Sequence, residues 1–384
     1  MIKDTKTNYC LNVIARWFVG LVFLFSSFVK GVDPMGTAFK IGDYIQVWSG
    51  SFMSFEWATP LAPALSMLLI VAEFVVGFLL VTNSFRKLSA WLLLLLMLFF
   101  TGTTAIDAFS ATYGIDDCGC FGDAIKLTPL QTFLKNVVLL VPTVWIFLTR
   151  KLRYKRRFER DAFNTILAVV LMSVFGIYNI CNEPVIDFRP WKVGNKMMNT
   201  DSDLQVESYV SYRDNATGEV VEVPAAECMA YAEDTVAWTW VSSRVVDPYE
   251  IAAPGFSMLD LENEDWASDI IASPEPLVIA TIYQLDKLDE DCVEDLLSVV
   301  RASEENGVQL VLLSSALPEE MQSFMYDHEI SNLDFYFADA TAIKTILRSN
   351  PGFILLRDAK VLGKWHHRHA DKCVEAISAI AGEE

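Results

Sequence analysis

Cys118-Gly119-Cys120, inside YGIDDCGCFGDAIKLT (Tyr113–Thr128), sets two thiols one residue apart. Such a pair can close on itself as a disulfide, bond elsewhere as a structural staple, or supply half of a metal site. A bridge across one residue closes a small strained ring, so it is readily reduced or exchanged. Asp116 and Asp117 work against a strongly activated thiolate. Metal is the weakest reading, because C-x-C gives two ligands and no His stands nearby in sequence. Glu73, inside LIVAEFVVGFLL, is a second candidate. A carboxylate in an apolar run is costly and marks a functional position by default. The alternative is a protonated or paired Glu that only orders its helices. Cys181 closes another apolar run and is a candidate resolving thiol or a small apolar filler. Lys30 and Asp33, at the end of the first apolar run, are expected at the membrane interface. WHHRHADKC (His366, His367, His369 and Cys373) invites a zinc reading, but its place after a hairpin favours a solvated turn. Asn215-Ala216-Thr217 fits a glycosylation acceptor and reads better as a turn.

The elements that carry these residues are mostly membrane helices. The chain has 384 residues, 53% hydrophobic, too apolar for an ordinary soluble protein. Runs at 10–31, 61–82, 88–109, 129–149 and 162–182 are each long enough to cross a bilayer, which takes roughly 20 apolar residues. The first is long for a signal peptide and lacks an A-x-A-like cleavage site, so it reads as a retained helix. Residues 32–60 include GTAFKIGDYIQVW, an amphipathic stretch suited to the interface, with Trp48 and Trp57 as anchors.

Charge divides the chain. Residues 1–183 hold 16 Lys+Arg against 12 Asp+Glu, net +4; residues 184–384 hold 14 against 37, net −23. The acidic half would repel phosphates, which argues against nucleic acid as a partner. Seven basic residues in RKLRYKRRFER (Arg150–Arg160), Arg86 with Lys87, and Lys3 with Lys6 all fall on one side of a five-crossing arrangement. The positive-inside rule makes that side cytoplasmic. Residues 32–60, 110–128 and everything after about 183 then face outward, along with Cys118, Cys120, Cys181, Cys228, Cys292 and Cys373; Cys10 does not. Disulfides persist in such an outer compartment.

After the last apolar run, ESYVSYRDNATGEVVEV reads as two strands about a turn at Asp214-Asn215, and Trp238 and Trp240 alternate in a third. From Ala253 onward strand and helix alternate: PLVIATIY, DEDCVEDLLSVVRASEE, VQLVLLSS, PEEMQSFMYDHE, DFYFAD and TAIKTILRS, then the hairpin GFILLRD/KVLGKWHH and the helix ADKCVEAISAIAG. The order βαβαβαββα fits a thioredoxin-like α/β sandwich.

APGFSMLDLEN (Ala253–Asn263) and SNPGFILLRDAKVLGKW (Ser349–Trp365) resemble the entry segment and proline loop of the TlpA-like branch of the thioredoxin family. The resemblance implies a cis Asn350-Pro351 peptide facing the active site and makes Asn350, Pro351 and Cys292 the candidate partner-binding residues. The family's C-x-x-C is missing: YQLDKLDEDCVEDL holds Cys292 alone, and a lone thiol cannot complete a two-cysteine cycle. FSSFVKGVDP, LIVAEFVVGFLL and DCGCFGD, within roughly residues 10–150, are similar to the MauE/DoxX family of redox-associated four-helix membrane proteins. That resemblance implies a role in thiol or quinone redox processes.

The expectation is a multi-domain protein: an all-α transmembrane bundle of four helices plus a fifth tethering span, followed by an extracytoplasmic α/β thioredoxin-like domain. Its segments are 1–150 (bundle), 151–183 (basic loop and fifth helix), 184–252 (β-rich connector) and 253–384 (thioredoxin-like, lacking C-x-x-C). It is expected in a bacterial inner membrane, contacting lipid and a periplasmic or membrane protein partner. Two functions remain open. One is thiol/disulfide handling with Cys118 and Cys120 as the exchange site, Glu73 and Cys181 assisting, and a quinone as possible acceptor. The other is a non-enzymatic scaffold whose thioredoxin-like domain binds a partner.

Overall fold

A computed structural model describes residues 5–49, 56–109, 122, 124–125, 127–152, 157–201, 204–253 and 255–382. Cys118 and Cys120 therefore lie outside the described residues. The chain forms two compact units, Met1–Arg189 and Pro190–Glu384.

The first unit contains α1 (Lys6–Val32), α2 (Pro34–Ser49), α3 (Ala62–Val81, entered through a 3-10 turn), α4 (Arg86–Phe109), α5 (Pro129–Leu148) and α6 (Phe158–Cys181). Five of these helices, all but α2, are long and apolar enough to cross a membrane. Helices suit that medium because they satisfy every interior backbone group internally. Their ends are written locally. Thr5 caps α1 by accepting from the Asn8 amide, and Thr128 with Gln131 forms a capping box at α5. Val19 and Phe23 of α1 pack with Val76 and Leu80 of α3, Ala90, Leu93 and Met97 of α4, and Leu139 and Ile146 of α5. Large apolar side chains also point outward, such as Leu68 at 67% and Val141 at 71% exposure. In water such a surface would aggregate, whereas lipid accepts it. The expected interfacial stretch forms α2, whose Tyr44 hydroxyl donates to Asp107 of α4 at 2.5 Å.

Helices α1 and α3 cross at Gly20 and Gly77. A Cβ on Gly77 would stand 2.9 Å from the Gly20 carbonyl oxygen and 3.0 Å from the Leu24 nitrogen. Small residues at such a crossing let backbones approach, which drives helix association in lipid.

In the second unit, β1 (Glu207–Asp214), β2 (Val220–Pro224) and β3 (Trp238–Val246) form an antiparallel sheet in the order β2-β1-β3, with a one-turn helix α7 (Met229–Ala232) between β2 and β3. The turn after β1 is built by Asp214, whose Oδ1 accepts from the Ala216 and Thr217 amides. A short helix α8 (Ala267–Ile271), not anticipated from sequence, precedes the main sheet. That sheet comprises β4 (Leu277–Ile282), β5 (Gln309–Ser314), β6 (Asp334–Phe337), β7 (Gly352–Arg357) and β8 (Lys360–His366), in the order β6-β5-β4-β7-β8. The first three run parallel, and β7 and β8 are antiparallel. Every residue of β4 is buried, as its unbroken apolar run requires of a central strand. Helices α9 (Glu290–Asn306), α10 (Pro318–Asp327), α11 (Ala340–Ile346) and α12 (Ala370–Ala381) complete the unit. Leu296, Val299 and Val300 of α9 share one core with Cys373 and Ile377 of α12 and with Val278, Leu312 and Phe353 of the sheet. A parallel βαβ half, an antiparallel hairpin entered through a cis Asn350-Pro351 bond, and a closing helix make this a thioredoxin-like domain.

Gly77→Ala is expected to lower the melting temperature of the detergent-solubilised protein, because the new methyl meets backbone that cannot yield. Gly102→Ala in α4, where nothing lies within 4 Å, is expected to be neutral or to stabilise by up to about 1 kcal/mol. Equal melting of the two variants would refute the crossing.

Candidate functional site

In the bundle, Glu73 is 1% exposed and Lys30 is 5% exposed. Lys30 Nζ lies 2.5 Å from Glu73 Oε1, and the Ser26 hydroxyl donates to Oε2 at 3.1 Å. The ammonium also sits 5.1 Å from the centre of the Phe100 ring. This corrects the interfacial placement of Lys30. Helix side chains tilt toward the N-terminus, so Lys30 leans back toward Ser26, one turn earlier, and reaches the buried carboxylate. The four-residue spacing of Ser26 and Lys30 was the available signal. Asp33 remains at the α1–α2 junction and accepts from the Gly36 amide at 2.8 Å.

The pair borders a cavity of about 30 Å³ with Lys135 and Asn136. That space suits water, whereas ligand pockets occupy roughly 300–1,000 Å³. Asn136 donates to Thr104 Oγ1 at 3.1 Å, and Phe109 meets Phe133 edge-on at 5.3 Å. These contacts tie α4 to α5 at the two stems of the segment that holds Cys118 and Cys120.

At the opposite end of the bundle are two buried arginines that the sequence reading did not single out. Arg16 donates to the Leu79 and Leu80 carbonyls at 3.1 and 3.3 Å and to Ser89 Oγ at 3.2 Å. Arg86 donates to the Leu152 carbonyl at 2.5 Å and to Asn12. A cation at a helix C-terminus is favoured by the helix dipole. Cys181 ends α6 as a half-buried free thiol.

In the thioredoxin-like unit, Asp289 caps α9 and accepts from the Cys292 amide at 2.8 Å. The Cys292 thiol lies 3.7 Å from His367 Nδ1 and 3.9 Å from Nε2. His367 Nδ1 stands 3.0 Å from Asp295 Oδ2. The ring of His367 thus stands between the Asp295 carboxylate and the Cys292 sulfur. The His367 amide donates to Ser349 Oγ at 2.9 Å, and Ser349 bonds the Pro351 carbonyl. Asn350 accepts from the Tyr283 and Gln284 amides at 3.0 and 3.2 Å and donates to the Gln284 carbonyl at 2.7 Å. The start of α9, the proline loop and the end of β8 thus meet.

The solvated-turn reading of WHHRHADKC is corrected for three residues: His366 is buried at the end of β8, where its Nδ1 accepts from the Arg368 amide at 3.3 Å. His367 faces Cys292 across 75 positions of sequence, and Cys373 is fully buried in α12. No local pattern reports a contact of that separation. Burial first, then Asp289 and Asp295, pushes the Cys292 thiol up to about 11. At pH 7 roughly one molecule in ten thousand carries the thiolate, which is the nucleophilic form. Among the described residues no group of three or more His, Cys, Asp or Glu side chains can hold a metal ion.

Fold and sites together define a membrane protein that joins an apolar helical bundle to a thioredoxin-like domain. Residues 8–149 match the family described as methylamine utilisation protein MauE. Protein TlpB of Flavobacterium psychrophilum is 24% identical over 178 residues, 46% of this chain and 46% of that protein, so the chain spans about half the length of this curated relative. A thiol:disulfide interchange protein of Bacteroides sp. aligns with 34% of this chain and 88% of its own, at 14% identity and TM-score 0.27. A secreted disulfide oxidoreductase of Mycobacterium tuberculosis aligns with 32% of this chain and 95% of its own, at 17% identity and TM-score 0.25.

Lys30→Met strands Glu73 in the bundle and is expected to cost about 3–5 kcal/mol in denaturant unfolding, with Lys30→Met/Glu73→Leu recovering most of it. An unchanged single variant would show that the pair bears no load. Alkylation of Cys292, followed in a protein whose other cysteines are serine, is expected to keep accelerating about tenfold per pH unit beyond pH 9 and to level only near 11. A plateau at pH 8–9 would contradict the raised thiol.

Proposed function

We propose that the protein is a bacterial inner-membrane component, DoxX-like in its bundle, that exchanges disulfides with an exported or membrane-bound protein partner. In this reading the N-terminus is cytoplasmic, the thioredoxin-like domain is periplasmic and degenerate, and Cys118 with Cys120 forms the exchange site. The carrying observation is Cys292. The thioredoxin-like domain has one thiol beside its proline loop, buried and with its pKa raised to about 11, which favours a nucleophilic pair elsewhere in the chain. Cys118-Gly119-Cys120 is the closely spaced pair available, within the residues matched to MauE.

The exchange balances without a further reagent. One Cys118/Cys120 thiolate attacks a partner disulfide, forming a mixed disulfide and releasing a partner thiolate that takes up a proton. The second cysteine then attacks the mixed disulfide, closes the Cys118–Cys120 bond and frees the second partner thiol. The reverse sequence oxidises a partner dithiol. Glu73 contributes here by fixing α3 against α1 through Lys30. No step is routed through a quinone.

The same buried thiol favours a second reading, in which the thioredoxin-like domain binds a partner at Asn350 and Pro351 without chemistry and all the cysteines are structural. Thiol-trapping mass spectrometry across redox buffers separates the two. The exchange reading expects a Cys118–Cys120 disulfide titrating between roughly −120 and −230 mV, and loss of function in a folded Cys118→Ser/Cys120→Ser protein. Thiols reduced throughout, or bridges that resist reduction below about −300 mV, would leave the scaffold.

A further inference from the structure

The second unit has four sheet edges, and three are blunted. The β6 edge is covered by Leu259, which exchanges hydrogen bonds of 2.8 and 2.7 Å with Phe337. The β8 edge is covered by residues 194–197: the Gly194 amide donates to the Val361 carbonyl, the Val361 amide to Asn195, and the Met197 amide to Ala359. The β2 edge is five residues long, carries Glu222 and ends in Pro224. Short length, charge and proline are the ordinary defences of an edge.

The β3 edge is neither short nor interrupted by proline, and its one irregularity is a register shift at Val241, opposite Ser211 and Tyr212. It runs nine residues, WTWVSSRVV, with no proline and no acidic residue, and among the described residues no strand pairs with its outer side. Its one charge, Arg244, is tied to Glu222 at 2.7 and 2.8 Å. Trp240 lies opposite Tyr212 and Val245 opposite Ser208, so the two share one face of the sheet. On that face Tyr231 stacks on Tyr212 and meets Trp238 edge-on, whereas Trp240 is 59% and Val245 61% exposed. An open, apolar edge in a protein that protects its other edges fits strand addition, with backbone supplying affinity and alternate side chains supplying selectivity.

Charge selects the occupant. Residues 190–384 hold 13 Lys+Arg against 36 Asp+Glu, net −23. A second copy would bring the same charge and be repelled, while a basic segment would be drawn in. We propose that the β3 edge receives an extended segment of a partner polypeptide as an added strand, its apolar residues beside Trp240 and Val245 and its basic residues toward the acidic surroundings. This deepens the reading above, on which it rests for the partner being a protein: the substrate class becomes a chain still extended enough to supply a strand.

The test uses the full chain in detergent and a fluorescein-labelled, cysteine-free peptide of alternating valine and lysine, about as long as β3. Anisotropy should report saturable binding, and Trp240→Lys and Val245→Lys should each weaken it by about tenfold or more. Val236→Lys, the same charge change at an exposed position in the loop before β3, should leave it unchanged. A valine–glutamate peptide should bind at least about tenfold more weakly. Parent-like binding by both edge variants, equal loss in Val236→Lys, or equal binding of the acidic peptide would overturn the proposal. So would a protein dimer that Trp240→Lys dissolves, since the occupant would then be a second copy. Because the peptide has no cysteine, this result is independent of the redox titration, and either reading can fail alone.

Discussion

The contact between α1 and α3 organises the bundle, and the Lys30–Glu73 pair fixes its register. A lone carboxylate among apolar helices would destabilise any packing that left it facing lipid, so α3 has to turn Glu73 inward. Inward it meets Ser26 and Lys30, which lie one turn apart on one face of α1. One turn further along α3, Gly77 brings the two backbones together at Gly20. Polar pairing and close approach therefore select the same register. Sliding α1 by one turn would place side chains against the glycines and break both bonds to Glu73. Arg16 reinforces the choice at the other end by donating to the last carbonyls of α3. The remaining helices pack onto this pair: α4 and α5 through Leu93, Met97 and Leu139, and α6 through Ala168 against Leu79.

In the thioredoxin-like domain, burial and charge act together on the Cys292 thiol. The α9 N-terminus would by itself favour a thiolate at Cys292. Burial and the nearby carboxylates of Asp289 and Asp295 outweigh it. The His367 ring stands between the sulfur and the Asp295 carboxylate. Asn350 satisfies the backbone of Tyr283 and Gln284 and so fastens the proline loop to the exit of β4. These contacts give the loop a fixed shape and the sulfur low reactivity.

How much was legible in the sequence follows from the range of each signal. The membrane helices could be read because an apolar run of bilayer length has few other uses, and the expected spans differ from the observed helices only at their ends. The α/β order could be read because the unbroken run of β4 and the helical spacing of α9 are both local. Cis Asn350-Pro351 came from the resemblance, with a proline just before a central strand as its one physical support. The facing of Cys292 and His367 could not be read, because it depends on where β8 ends relative to α9. Arg86 looked like an ordinary basic residue flanking a span, Arg16 lay unremarked inside the first run, and their carbonyl partners carry no sequence signature. The covered edges of the main sheet escaped for the same reason, since Leu259 and residues 194–197 act through backbone.

These local and long-range constraints divide the molecule's polar chemistry by location. Within the bundle, Lys30 is engaged with a carboxylate and Arg16 with a hydroxyl and helix-end carbonyls, as burying charge in a medium without water requires. In the thioredoxin-like domain the one thiol beside the proline loop is buried among acidic neighbours. Between α4 and α5, Asn136 with Thr104 and Phe109 with Phe133 join the two helices by one polar and one aromatic contact, so the same rule of paired polar groups holds there.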